Sequence, residues 1–253
     1  MQVIDMHAIS VSQGERNLLR NRPSSIPVMR QSWRDLAFVH WRVPAEVIQQ
    51  TLPVGLTVDT FDGSAWVGLV PFSMTNVRPI GVPALIGLST FLECNVRTYV
   101  HTNGKSPGVW FYSLDAASPL ACSIARHFFG LPYYPAQMHC DVTETSMHYE
   151  SQRNAGGLDL TLQVAFQRTE PKAALEGTFA WWSLERYLLY TVRKTRLYSG
   201  RVHHKPYTFQ SATLEHLQLR DNPLHHSYAL ATPEHIAVSP GVDVSVYPLQ
   251  RVF

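Results

Sequence analysis

Two runs of alternating side chains hinged on Asn103-Gly104 constrain this chain more than any other feature. From Phe91 to Val100, Leu92, Cys94, Val96 and Val100 fall on one face of a strand, and Glu93, Asn95, Arg97 and Tyr99 fall on the other. Successive side chains of extended backbone point to opposite sides, so the pattern reads directly as geometry. Asn-Gly takes the left-handed backbone of a tight hairpin turn, and Val109 to Leu114 returns as a second strand. The apolar face needs a layer of helices or a second sheet to cover it. The polar face either lines a barrel interior or meets solvent, and alternation alone does not choose. If it is interior, its charges need partners, and Glu93 and Arg97 are read as partners for each other.

Most of the remaining chain also reads as strands. Phe38 to Val43 is apolar and aromatic, and Pro44 opens a short helix, Ala45 to Thr51. Leu56 to Phe61 and Ala65 to Phe72 flank Asp62-Gly63 as an expected hairpin. A helix is expected from Trp181 to Val192, with Trp181, Leu184, Leu188 and Thr191 at helical spacing, and Asp243 to Tyr247 reads as an edge strand. The polar stretch 1–27 lacks periodicity and reads as a loosely held arm, leaving 28–253 as one domain of a kind that a long β fold commonly fills.

One helix carries complete start and stop signals. Ser118 caps it, Pro119 occupies the first helical position, and Gly130 supplies a left-handed end. Leu120, Ile124 and Phe128 share one face, while Arg126 and His127 complement the negative end of the helix dipole. Beyond the glycine comes Leu131-Pro132-Tyr133-Tyr134.

Composition excludes several classes. The net charge is +2, from 21 basic and 19 acidic residues without a block of one sign. The densest basic run, Arg193-Lys194-Thr195-Arg196, reads as a solvated helix end, so no nucleic-acid partner is expected. Cys94, Cys122 and Cys140 are scattered among apolar neighbours and read as reduced thiols. No apolar run is long enough to span a membrane, and Pro79 to Leu88 reads as a loop. Residues 1–5 lack a signal-peptide layout, so a soluble cytoplasmic protein is expected. Phosphate-binding glycine loops and serine nucleophile elbows are absent from the sequence.

Several segments in order resemble a known family: Gln31-Ser32-Trp33-Arg34-Asp35-Leu36, Phe38-Val39-His40-Trp41-Arg42-Val43 and Asp59-Thr60-Phe61-Asp62-Gly63. Further on come Glu93-x-Asn95-Val96-Arg97, Gly108-Val109-Trp110-Phe111, Glu185-Arg186-Tyr187 and His203-His204-x-Pro206-Tyr207. They are similar to the uncharacterised YqjF-like bacterial proteins (DUF2071), a branch of the acetoacetate decarboxylase-like superfamily. Tyr207 stands where the family usually has tryptophan. The resemblance implies a mostly β (α+β) fold, an antiparallel β cone or barrel with a few helices around a ligand cavity. It also implies that the superfamily's strand glutamate is Glu93 and that its Schiff-base lysine positions are held here by Tyr133 and Tyr134. A phenol cannot form an imine; it donates a hydrogen bond or acts as a general acid.

The expected function is therefore a small-molecule cavity protein acting on a carbonyl or carboxylate compound by acid-base means, without a lysine imine. The alternatives are a non-catalytic binder that kept the cavity and, third, a structural protein without one. Glu93, Tyr133 and Arg97 are the catalytic candidates. Arg126, His40, Asn95, Asp115, Tyr134 and His204 are the ligand-binding candidates. The expected partner is a small organic anion or carbonyl ligand, with no nucleic acid, membrane or cofactor, and a homo-oligomer is left open. Of only four lysines, Lys105, Lys172 and Lys194 occupy turn-like or basic contexts, and Lys205 lies beside imidazoles. Twelve histidines include the pairs His203-His204 and His225-His226. Neighbours on a strand point to opposite faces, so no metal site is expected from such a pair.

Overall fold

A computed structural model describes residues 10–84, 89–153, 157–167, 169–220 and 232–253. The elements are helix α1 (Gln13–Leu18), β1 (Met29–Val43), α2 (Ala45–Gln49), β2 (Thr57–Val58), β3 (Ala65–Pro79), β4 (Phe91–Thr102) and β5 (Lys105–Ala116). Helix α3 (Pro119–Phe129) follows, then β6 (Tyr133–Val142), β7 (Ser146–Arg153), β8 (Asp159–Phe166) and β9 (Lys172–Ala173). The last group is α4 (Phe179–Leu184), β10 (Leu188–Arg193), β11 (Arg196–His203), β12 (Thr208–Arg220), β13 (His235–Val246) and β14 (Gln250–Arg251).

The sheet closes on itself twice. Strands β13, β1, β3, β4 and β5 run side by side, antiparallel throughout. Both flanking strands fork. The first half of β5 pairs with β10 and its end with β6, both parallel. The start of β13 pairs with β12 and its end with β11. One circuit therefore closes through β10 and β11, the other through β6, β7, β8 and β12. Closure of this kind removes the unpaired strand edges that invite aggregation. The result is a cone-like, mostly antiparallel β fold with few helices.

The two faces of the shared strands serve different interiors. Cys94 and Val96 of β4, Val67 and Leu69 of β3, and Val39 and Trp41 of β1 pack against Met147, Tyr149, Leu160 and Leu162 of β7 and β8. Glu93, Asn95 and Arg97 turn the other way, into the circuit closed by β10 and β11. A register shift between Val96 and Arg97 leaves Tyr112 as an extra residue on β5, so Phe111 and Leu114, three apart, both face that interior.

Helix α3 follows its signals: the Ser118 hydroxyl accepts from the Ala121 amide at 3.3 Å, and Gly130 ends the helix at φ 65°. Its apolar row does not face the core. Leu120, Ile124 and Phe128 are 51%, 47% and 61% exposed, and the fully buried side chain is Cys122.

Other segments depart from expectation. Residues 181–192 are not one helix. The chain leaves α4 at Glu185 (φ −81°, ψ 69°) and continues as β10. The expected Asp62-Gly63 hairpin reduces to a single Phe61–Ser64 bridge, since β2 pairs with β4 and β3 with β1 and β4. Asp243 to Val246 lies inside the sheet, between β1 and β11. The stretch before residue 28, expected as a loose arm, contains α1. Arg16 of α1 makes a two-pronged pair with Asp59 at 2.7 and 2.8 Å. Arg201 holds the carbonyls of Leu19 and Asn21, both at 2.8 Å.

Gly241 shows how tightly β13 lies on β1. It sits opposite Arg34 at φ 115°, and a Cβ there would collide with the Trp33 carbonyl oxygen. Gly241→Ala should therefore cost about 1–3 kcal/mol, a strain of the size stored at disallowed backbone positions. It would appear as a lower urea midpoint with an unchanged slope; an unchanged midpoint would show that the two strands separate here at no cost.

Candidate functional site: a cavity with a buried acid

Inside the circuit closed by β10 and β11 is a cavity of about 380 Å³. Apolar side chains form most of its wall, among them Phe72, Met74, Phe91, Phe111, Phe129 and Leu184. Polar groups reach it at a few points. Helix α3 covers one end with Leu120, Ala121, Ile124 and Ala125.

Glu93 is the central polar group, 2% exposed. The Tyr133 hydroxyl donates to its Oε2 at 2.8 Å, and the Asn95 side chain also bonds the carboxyl. The Tyr149 hydroxyl pins the Glu93 backbone carbonyl from behind at 2.9 Å. Burial is the main influence on Glu93 and pushes its pKa up to about 8. The Tyr133 and Asn95 hydrogen bonds oppose it, and the Asp115 charge adds to the rise. Near neutral pH, Glu93 is therefore mostly a neutral carboxylic acid. Burial, reinforced by Glu93, raises the Tyr133 phenol well above its ordinary value, so it stays protonated and acts as a donor.

Local structure explains why Tyr133 reaches Glu93 and Tyr134 does not. Leu131-Pro132 carries the chain from the α3 cap into β6, which pairs in parallel with β5 from Leu114–Tyr133 onward. Alternation then turns Tyr133 inward and Tyr134 outward. Tyr134 is 39% exposed, and its ring lies 3.9 Å under the Arg153 guanidinium. The same arginine pairs with the fully buried Asp115 at 2.5 Å, so Asp115 sits behind the cavity wall rather than in it.

Arg97 lines the cavity without pairing with Glu93. Residues four apart on a strand are separated by roughly 13 Å, and the Arg97 guanidinium turns towards Phe38 and Tyr99, 5.7 and 5.5 Å from their ring centres. Among the described residues it makes long bonds, 3.4 Å each, to the Tyr99 hydroxyl and the Ser183 carbonyl, and its buried Nε has no partner. Among the described residues, Arg97 has no carboxylate within ion-pair distance.

Arg186, Trp33, Gln31 and Tyr207 also line the cavity and were not singled out as site candidates. Arg186 pairs with Asp59 at 2.6 Å and donates to the Trp182 carbonyl at 2.7 Å, while its buried Nη2 has no partner among the described residues. Its signal in the sequence is a lone cation within Trp181-Trp182-Ser183-Leu184-Glu185-Arg186-Tyr187, a stretch too apolar to be a surface.

Besides Asp115 and Tyr134, three further expected ligand-binding residues lie outside the cavity lining. Arg126 is exposed on α3, facing solvent rather than the cavity. His40 is fully buried next to the cavity wall: its Nε2 meets the Tyr99 hydroxyl at 2.6 Å and its Nδ1 meets His235 Nδ1 at 3.1 Å. His204 is buried against Tyr187, 4.5 Å between ring centres, with Nδ1 bonded to the Lys205 carbonyl at 2.7 Å. Burial lowers the pKa of both, to about 4 for His204, so both are neutral at pH 7. His225 and His226 lie outside the described residues. Among the described residues, no three histidine, cysteine or acidic side chains are grouped to hold a metal ion, and no helix is long and apolar enough to cross a membrane. All four lysines are exposed and none lines the cavity.

Comparison with known proteins agrees with this architecture. Residues 30–243 match the family model described as an uncharacterized conserved protein, DUF2071. The uncharacterized protein YqjF of Bacillus subtilis is 34% identical over 233 residues, covering 90% of this chain and 94% of that protein. Among solved structures, acetoacetate decarboxylase from Legionella pneumophila superposes with a TM-score of 0.65 at 12% identity, covering 97% of this chain and 98% of the other. An acetoacetate decarboxylase-like enzyme from Sphingomonas wittichii gives 0.62 at 14% identity, covering 90% and 94%. The enduracididine biosynthesis enzyme MppR, complexed with pyruvate, gives 0.62 at 12%, covering 92% and 93%. At such identities the structural likeness establishes the fold alone. The chain belongs to the DUF2071 family and has the acetoacetate decarboxylase-like fold.

Proposed function

We propose that this DUF2071 member is a small-molecule enzyme of proton transfer, acting on a compound that carries a carbonyl and a carboxylate, without a lysine imine. The observation that carries the reading is the buried Glu93–Tyr133 pair in a mostly apolar cavity that also holds Arg97, a cation without a carboxylate partner among the described residues. A carboxyl whose pKa lies near the working pH gives and takes protons with little driving-force penalty. Tyr133 commits its hydroxyl to Glu93, so its role is to orient the acid. Arg97 offers the donor for an anionic group, and the apolar wall excludes water from the charge that develops.

One structural relative is an acetoacetate decarboxylase and another is complexed with pyruvate, so oxo acids are the class to try first. The test is hydrogen–deuterium exchange, followed by NMR, at the carbons next to the carbonyl of pyruvate, acetoacetate and longer oxo acids in heavy water. Exchange that the protein accelerates and that Glu93→Gln abolishes is the expected result, weakened by Arg97→Gln only for acids long enough to span the roughly 13 Å between the two residues. Binding without exchange for every acid would replace this reading with that of a non-catalytic binder.

The lysines give a second expected outcome. An amine must lose its proton before attacking a carbonyl, and burial is what lowers its pKa enough. All four lysines are exposed. Incubation with acetoacetate and borohydride should leave the intact mass unchanged, whereas a stable adduct lost in Lys205→Ala would establish an imine route.

A further inference from the structure

We propose that the acid this cavity takes is chain-bearing: a monocarboxylate with an unbranched apolar tail, its carboxylate at Arg97 and its tail running along β4 to leave beside α3. The proposal rests on the reading of Arg97 as the anion anchor and adds the length and character of the substrate.

Three observations carry it. First, the cationic and apolar parts of the cavity are at opposite ends of one strand face. Phe91, Glu93, Asn95 and Arg97 all line it, and Phe91 to Arg97 spans about 20 Å of extended backbone. The Arg97 guanidinium turns further away from α3, towards Phe38 and the Ser183 carbonyl. A compact acid of three or four carbons bound there would leave most of the wall uncovered.

Second, the wall around that strand face is built largely from Phe72, Met74, Phe111, Leu114, Phe129 and Leu184, which offer area but no directional bonds, and Glu93, Asn95 and Tyr133 are the polar groups the tail passes. A volume near 380 Å³, at about 30 Å³ for each water-sized group, holds on the order of a dozen non-hydrogen groups. After the carboxylate this leaves roughly ten carbons.

Third, the exposed lining residues are all apolar: Leu120 and Ile124 of α3 with Pro79, Val82 and Pro83. Apolar side chains at a rim are a cost without an apolar guest to cover them. Leu120 and Ile124 of the outward-facing row of α3 thereby form the lip of the cavity.

The experiment is calorimetric titration of the full chain with saturated straight-chain carboxylates of increasing length, and with the matching alcohols. Each methylene that enters an apolar wall contributes about 0.8 kcal/mol, or about fourfold in affinity. Affinity should climb by about that factor per carbon and level off near ten carbons. Arg97→Gln should bring the acids down to the alcohols while leaving the slope intact. Ile124→Glu, a change at a half-exposed position, should weaken the long acids and spare the short ones. A flat series, or equal weakening of short and long acids by Ile124→Glu, would overturn the proposal. Turnover of short oxo acids with a flat chain-length series would sink this inference alone, whereas a steep series without proton exchange would sink the catalytic reading alone.

Discussion

Asp59→Ala should be the most destabilising single substitution at the polar groups around the cavity, lowering the unfolding free energy by about 3–5 kcal/mol. Asp59 is buried and takes two arginines: Arg186 at 2.6 Å and Arg16 at 2.7 Å. The side chains of Arg186 and Arg16 are 4% and 10% exposed. Burial alone would raise the Asp59 pKa, but the two guanidiniums overcome it and hold the carboxyl below its ordinary value. Without that carboxylate, two cations remain in low dielectric facing each other, which is the costly way to break a buried ion pair. Arg16→Ala should cost less, because Asp59 and Arg186 still neutralise one another. The sign with pH follows from linkage. A carboxyl with a depressed folded pKa stabilises the fold above its unfolded value, near 3.8, and ceases to do so as pH falls through the folded value. Urea unfolding should therefore show the Asp59→Ala deficit in full at pH 7 and a smaller one in acid. A deficit under about 1 kcal/mol at pH 7 would mean that water reaches both arginines.

This network also shows where the sequence was legible. The alternation in β4 placed Glu93 and Asn95 opposite Cys94 and Val96 correctly, because strand periodicity is fixed by backbone geometry and a sheet with two interiors must keep it. The Asn103-Gly104 turn and the α3 caps were legible for the same local reason: φ of 49° and 74° at the turn and 65° at Gly130 are conformations that few residues accept. Sequence spacing misled where two periods coincide. Trp181, Leu184, Leu188 and Thr191 fit a helical stripe, yet the stretch crosses from α4 to β10 with no glycine or proline to mark the break. An apolar stripe likewise reports that a face is apolar, not what covers it: Leu120 and Ile124 stand half-exposed at the cavity and Phe128 is exposed. Pairing was the least legible. Arg97 and Glu93 share a face but are too far apart to meet, and the partner of Arg186 lies 127 positions away.

Glu93 should make the protein lose stability as pH rises from about 4.5 to 8, and Glu93→Gln should remove that loss. Burial raises the folded pKa to about 8 from an ordinary value of 4.5, against the pull of Tyr133 and Asn95 and with a push from Asp115. Between those two values the unfolded chain has released the proton and the folded chain still holds it. Stability then falls with pH, by about 1.4 kcal/mol for each pH unit. Across the window this amounts to a difference on the order of 5 kcal/mol. His40, His204, His235 and Glu185 also have displaced pKa values, so the measured quantity is the wild type minus Glu93→Gln, in which their contributions cancel; Asp115, whose charge acts on Glu93, stays within the difference. Urea unfolding of both proteins from pH 4 to 9 should give curves that run together in acid and diverge above pH 5, the glutamine variant being the more stable. Tyr133→Phe should extend the divergence to higher pH without moving its start, because it removes the hydrogen bond that favours the ionised carboxylate in the folded chain. Infrared absorption gives an independent reading: a protonated carboxyl band present at pH 7 in the wild type and missing in Glu93→Gln. Parallel stability curves together with an ionised Glu93 at pH 7 would show that water or a cation reaches the carboxyl, and the proton-transfer reading of the cavity would fall with it.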